Sequence, residues 1–176
     1  MLFFAKTILV IALFMTGRMA WSSELHKSMS VAELPAIAPT TTFFDGKKNV
    51  TLQNFDGKFL LVNFWATWCS PCVTEMPSLD RMAKKLAGQN ILVLIVNEDE
   101  GGGSEVRSFV RKLKLNSLTA LYDTNNRAFK DFALRGLPTT FLISPEGMVL
   151  ASFEGSAVWD KGGLYDQIVE NLKKYR

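Results

Sequence analysis

Two short runs dominate the apolar pattern of this chain. Phe59 to Trp65 (FLLVNFW) and Ile91 to Val96 (ILVLIV) are almost free of polar residues. Runs of that length predict strands buried on both faces of a parallel sheet. Between them the period changes. Cys72, Met76, Leu79, Ala83 and Leu86 recur at helical intervals and form one apolar stripe, which Gly88 ends. Strand, helix and strand in that order predict a right-handed parallel unit. Pro71 suits the first helical turn, where its missing N–H is no loss. Pro77 falls inside the helix and is expected to kink it.

The flanks read more weakly. Thr41 to Leu52 holds Asp45-Gly46 between TTFF and NVTL, which predicts a β-hairpin with a short loop. Asp56-Gly57 turns the chain again. Gly101-Gly102-Gly103 makes a flexible loop, but no Lys-Ser/Thr follows to cradle a phosphate. Ser104 is expected to cap a helix carrying Val106, Phe109, Val110 and Leu113. Leu118 to Tyr122 reads as a short strand and Asn126 to Ala133 as a short helix. Thr139 to Ile143 and Met148 to Phe153 flank a Ser-Pro-Glu-Gly turn and predict an antiparallel hairpin. Leu164, Ile168, Leu172 and Tyr175 line a terminal helix. The sum is one α/β domain over residues 41–176, a central mixed sheet flanked by helices. Residues 23–40, polar with Pro35 and Pro39, read as a linker.

Residues 1–22 stand apart. Ile8 to Met15 is unbroken apolar, with Lys6 before it and Arg18 after it. Its length suits a signal-peptide core, and Ala20-Trp21-Ser22 has the spacing of a cleavage site. A retained membrane anchor is the alternative reading. Either one exports the domain and tethers or releases it outside the cytosol. The remaining composition is ordinary. The chain is 176 residues long and 48% hydrophobic, and its net charge of +3 is too small to argue for nucleic acid. Arg111-Lys112 and Lys173-Lys174 fit last helical turns, where cations meet the negative end of the dipole.

Export changes the meaning of the two cysteines. Both lie in ATWCSPCVTEMP, residues 66–77. A bond between Cys69 and Cys72 closes almost no loop, so it adds little stability. Such a bond is suited to being made and broken. Cys69 falls between a parallel strand's C-terminal end and a helix N-terminus, the sheet edge where α/β sites gather. Free N–H groups and the helix dipole there favour a thiolate. Cys72 lies one turn further in, on the apolar stripe. Cys69 is therefore expected to react and Cys72 to resolve. No metal site is expected, since zinc needs about four ligands and the only other soft ligand is His26. Haem attachment needs histidine after the second cysteine, and Val73 stands there.

FWATWCSPC, followed by Gly136-Leu137-Pro138-Thr139-Thr140 and a closing hairpin and helix, resembles the thioredoxin superfamily. Cys72 to Pro77, the preceding hairpin and the extra helix and strand between Ser104 and Tyr122 resemble its TlpA/ResA branch, most closely the TlpA type. The resemblance covers roughly residues 41–176. It implies a thioredoxin-like fold and a thiol–disulfide oxidoreductase, periplasmic and often membrane-tethered. Many such proteins act in cytochrome c maturation or in cytochrome oxidase copper-site assembly. It further implies that Pro138 is a cis-proline facing the disulfide, and that Trp68, Leu137 and Pro138 form a partner-docking lip.

One position departs from the superfamily pattern. Asn63 stands where many cytosolic thioredoxins carry a buried aspartate, thought to take the resolving cysteine's proton. Glu75 is a candidate substitute, although a solvated position is the ordinary expectation for glutamate. Glu98, Asp99 and Glu100 leave the second strand at the cysteine edge and are expected in a solvated loop. If they lie close, they oppose the thiolate. Trp65 is expected to pack in the core. Thiol peroxidases share the fold, but their usual threonine three before the reactive cysteine is Ala66 here.

The leading expectation is a monomeric reductase of disulfides in exported partner proteins, re-reduced by a membrane thiol carrier. Its redox-active disulfide would serve without a cofactor. A disulfide oxidase, and a non-catalytic Cu(I)-binding assembly factor, are the alternatives.

Overall fold

The two apolar runs lie side by side as parallel strands in the computed structural model, which describes residues 28–101 and 103–175. The signal-peptide or anchor reading of residues 1–22, and His26, lie outside that range. In chain order the elements are β1 (Ser30–Ile37), β2 (Phe43–Phe44), β3 (Asn49–Val50), a 3-10 turn (Leu52–Phe55), β4 (Phe59–Trp65), α1 (Ser70–Lys85) and β5 (Ile91–Asn97). There follow α2 (Ser104–Lys112), β6 (Thr119–Tyr122), α3 (Ala128–Asp131), β7 (Thr139–Ile143), β8 (Met148–Glu154) and α4 (Gly163–Lys174). One mixed sheet runs β1-β8-β7-β4-β5-β6-β2-β3. The β4, β5 and β6 strands are parallel, and β7 runs antiparallel to β4 on its other side. This is a thioredoxin-like sheet with the expected hairpin (β2, β3) and inserted helix and strand (α2, β6).

Both faces of β4 are sealed, as its composition requires. Leu61 and Trp65 turn to a core with Met76, Leu79 and Met82 of α1 and Ile168 and Leu172 of α4. Leu60, Val62 and Phe64 turn to a second core with Phe43, Val50, Leu121 and Phe132. Each fully buried leucine or isoleucine there contributes on the order of 1.5–3 kcal/mol. Trp65 is core, stacked on Phe109 at 6.1 Å. Helix α1 runs on through Pro77, and its stripe is buried at Cys72, Met76, Leu79 and Met82. Lys84, Lys85, Arg111, Lys112, Lys173 and Lys174 occupy last helical turns.

Two expectations need correction. The linker reading fails over Ser30–Ile37, which pairs antiparallel with β8 as an edge strand. Its side chains are mostly exposed, with Leu34 at 88%. It therefore lacks the alternation that marks a half-buried strand, and Pro35 is tolerated because the edge leaves donors free. The register shifts between Val31 and Ala36, around that proline. The second correction is at α2, where Gly103 holds the cap position and Ser104 begins the helix. Among the described residues no helix is long and apolar enough to cross a membrane.

Candidate active site

The chain leaves β4 at Trp65 and turns once before α1. The Cys69 N–H donates to Ala66 O at 3.2 Å and closes that turn. Cys69 then caps the helix. Its Sγ accepts from the Cys72 N–H at 3.3 Å, and its carbonyl accepts from the Val73 N–H at 3.1 Å. Cys69 and Cys72 are joined in a disulfide. The first turn of any helix leaves N–H groups without intrahelical partners, and one of them is spent on sulfur here. The same bond would stabilise a Cys69 thiolate once the disulfide opens. Pro71 sits in that first turn, where an N–H is not missed. Cys72 is fully buried and Cys69 is 6% exposed. Both cysteines are thus buried, with Cys69 the slightly more accessible of the two.

Three segments reach this edge of the sheet. Trp68 is 69% exposed, an unusual position for a large aromatic. The Leu137–Pro138 bond is cis. Thr139 pairs with Phe64, so Pro138 lies beside the end of β4 where the cysteine turn begins. Leu137 is half-buried and Pro138 buried. The loop after β8 joins the two sides. Gly155 N–H donates to Pro138 O at 2.9 Å, and Ser156 Oγ donates to Pro71 O at 3.2 Å.

A polar network links β4, β7 and α1. Asn63 and Thr140 are registered partners on β4 and β7, and both are fully buried. Asn63 Nδ2 donates to Thr140 Oγ1 and to Glu75 Oε1, each at 2.9 Å. Glu75 Oε2 accepts from the Ala157 N–H and from Trp159 Nε1, also at 2.9 Å each. Glu75 is only 2% exposed, so the solvated expectation is wrong. Position 75 follows Cys72 by three residues and faces inward, and the donors around it replace the water lost on burial. Trp159 was missed by sequence reasoning. It lies in a loop with no periodicity to mark it. The available signal was general: a buried tryptophan N–H needs an acceptor.

The acids after β5 divide three ways. Glu100 is exposed, as expected of a solvated loop. Asp99 is not free. Its carboxylate accepts from Thr67 N–H at 2.8 Å and from Thr67 Oγ1 at 2.6 Å. Asn97 Nδ2 donates to the same carboxylate, and Asp99 N–H donates back to Asn97 Oδ1 at 3.1 Å. Glu98 is half-buried, and its backbone N–H donates to Trp65 O at 2.8 Å. Burial, and then the nearby Asp123 charge, push the Glu98 carboxyl up to about 8. Among the described residues no group of three or more His, Cys, Asp or Glu side chains could hold a metal.

A disulfide carried on this fold, capping the helix after the central strand, defines a thioredoxin-like thiol–disulfide oxidoreductase. The AhpC/TSA family model matches residues 34–152, well over half of the chain, and the chain belongs to that family. It is 32% identical over 133 residues to thiol–disulfide oxidoreductase ResA of Bacillus thuringiensis subsp. konkukian, covering 76% of this chain and 72% of that one. To ResA of Bacillus subtilis it is 30% identical over 156 residues, covering 88% and 86%. Among solved structures, a putative thiol:disulfide interchange protein DsbE from Chlorobium tepidum superposes with a TM-score of 0.71 at 28% identity. That match covers 78% of this chain and 96% of the other.

Proposed function

We propose that this chain is a reductase of specific disulfides in exported proteins. The observation that carries the reading is the pair of unequal sulfurs: Cys69 caps α1 at the edge beside exposed Trp68, and Cys72 is sealed behind it. In the reduced protein the Cys69 thiolate attacks one sulfur of the partner disulfide. A Cys69–partner bond forms, and the other partner sulfur leaves with an electron pair and takes up a proton. Cys72 then loses its proton, attacks Cys69 Sγ and expels the second partner sulfur. Two electrons pass to the partner, and the Cys69–Cys72 disulfide remains. Glu75 is the proposed acceptor of the Cys72 proton. Its burial on the same helix face, one turn on, supports that role, and Asn63 holds it there. Trp68, Leu137 and cis-Pro138 form the proposed docking lip.

Direction follows from a balance at Cys69. The helix terminus stabilises its thiolate, and a very stable thiolate makes a strong oxidant. Ser70-Pro71 adds no imidazole between the cysteines, and Asp99, bound to the cysteine turn through Thr67, is the acid placed to oppose the thiolate. The potential is therefore expected roughly at or below −200 mV, nearer thioredoxin than DsbA. The proposed setting is periplasmic, tethered or released, with a membrane thiol carrier as electron donor, and the apolar run Ile8 to Met15 supports export. Cytochrome c maturation or oxidase copper-site assembly is the proposed pathway. Equilibration with defined glutathione ratios tests direction. A potential near about −120 mV would make the chain an oxidase. Trapping with Cys72→Ser, followed by mass spectrometry, would identify the partner.

A further inference from the structure

We propose that Asp99 is a positioning residue for Cys69: it holds the Thr67–Cys69 segment at the sheet edge and its negative charge opposes the Cys69 thiolate. The proposal rests on the reading of Cys69 as the reactive sulfur. Its own evidence is the two-point bond from Asp99 to Thr67. Thr67 begins the turn that ends at Cys69, two residues on, and carries Trp68 between. The Cys69 N–H to Ala66 O bond closes that turn from within, and the Thr67 N–H and hydroxyl both go to Asp99. A hydrogen bond to an ionised acceptor is stronger and shorter than a neutral one, and two from one residue fix orientation as well as position.

Asp99 is itself held. Asn97 is fully buried and is registered with Trp65 on β4 and Tyr122 on β6. Its side chain donates to the Asp99 carboxylate and accepts from the Asp99 N–H. The cysteine turn is thereby anchored to the end of β5, across the strand pair, and not only to its own helix. A second consequence is electrostatic. The carboxylate that fastens the turn stands, through Thr67, two residues from Cys69 along the chain. A like charge nearby disfavours a thiolate.

The test uses Asp99→Asn, Asp99→Ala, Thr67→Val and Thr67→Ser in the reduced full chain. The readout is iodoacetamide labelling of Cys69 against pH, with labelling of Cys72 in the same samples to report any loosening of the fold. Removing the charge should raise the Cys69 labelling rate about threefold near pH 6, with Cys72 still protected. Parental labelling profiles in both Asp99 variants would overturn the proposal. The second readout is insulin-disulfide reduction. Thr67→Val removes one of the two bonds and keeps the charge, so KM should rise about threefold with kcat kept, while Thr67→Ser matches the parent. A parental KM in both Thr67→Val and Asp99→Ala would overturn the positioning role. Should Asp99→Ala fail to fold, the Asp99→Asn profile and the Thr67→Val KM decide the same two points. If the parent itself does not reduce insulin, the reductase reading falls, and the labelling rates still judge Asp99.

Discussion

Replacing Glu75 separates its structural part from its chemical one. Its carboxylate takes hydrogen bonds from Asn63, Ala157 and Trp159, and of these Asn63 and Trp159 are fully buried. Glu75→Ala leaves those two buried donors short of an acceptor, at roughly 1–3 kcal/mol each. The expected loss is about 2–6 kcal/mol, before any cavity cost. Glu75→Gln behaves differently. Its carbonyl can still accept from Ala157 and Trp159, but its amide would face the Asn63 amide. Asn63 can answer by turning over, at the cost of moving its amide to the place where Oδ1 is now buried with no hydrogen-bond partner. After that turn Oδ1 accepts from the new amide, and the Thr140 hydroxyl donates in place of accepting. The turned amide then lies buried without an acceptor, so the net cost should be about 1–3 kcal/mol, still below that of alanine. Urea unfolding of the oxidised protein measures both. Activity should fall in both variants, whatever their stability. Glu75→Gln, though well folded, cannot take a proton, so release of partner from the Cys69 mixed disulfide should slow about 10–100-fold. Equal stability losses in the two variants would refute the hydrogen-bond argument. A parental release rate in Glu75→Gln would refute the proton role.

Three further outcomes are expected. In the reduced protein iodoacetamide should label Cys69 and spare Cys72, and peptide mapping with faster labelling at Cys72 would reverse their roles. Pro138→Ala should impair partner recognition or release more than folding, and a large loss of stability with an unchanged partner reduction rate would leave Pro138 a structural turn only. Glu98 should make stability pH-dependent: its folded carboxyl is raised to about 8 from 4.5, so the folded state holds a proton that the unfolded chain has lost between those values, and stability falls as pH rises through that window. Glu98→Gln should flatten that fall in denaturation midpoints taken from about pH 5 to 8, and an unchanged slope would contradict it.

The central part of the fold was legible because its signals are local. FLLVNFW and ILVLIV can hardly be anything but buried strands, and the stripe from Cys72 to Leu86 has a single helical solution. They became β4, β5 and α1 with bounds close to those read. The edge strand β1 was not legible. Its order comes from the β8 backbone, which leaves no mark on the side-chain pattern of Ser30–Ile37. The cis geometry at Pro138 was accessible only through family resemblance, since a Gly-Leu-Pro-Thr string does not by itself specify a cis bond.

The polar support of the site was the least legible part, and one residue explains why. Glu75 follows Cys72 by three positions, so the periodicity that buried Cys72, Met76 and Leu79 also turned Glu75 inward. The general exposure of glutamate argued against that reading, and the helix pattern was the better guide. A carboxylate at an inward position costs several kcal/mol unless donors meet it. Those donors come from Asn63, 12 residues before it, and from Trp159, 84 residues after it. Neither separation has a sequence signature. An acid on the buried stripe of a helix instead requires distant N–H partners. Finding it one turn from a redox cysteine marks where a proton can be held.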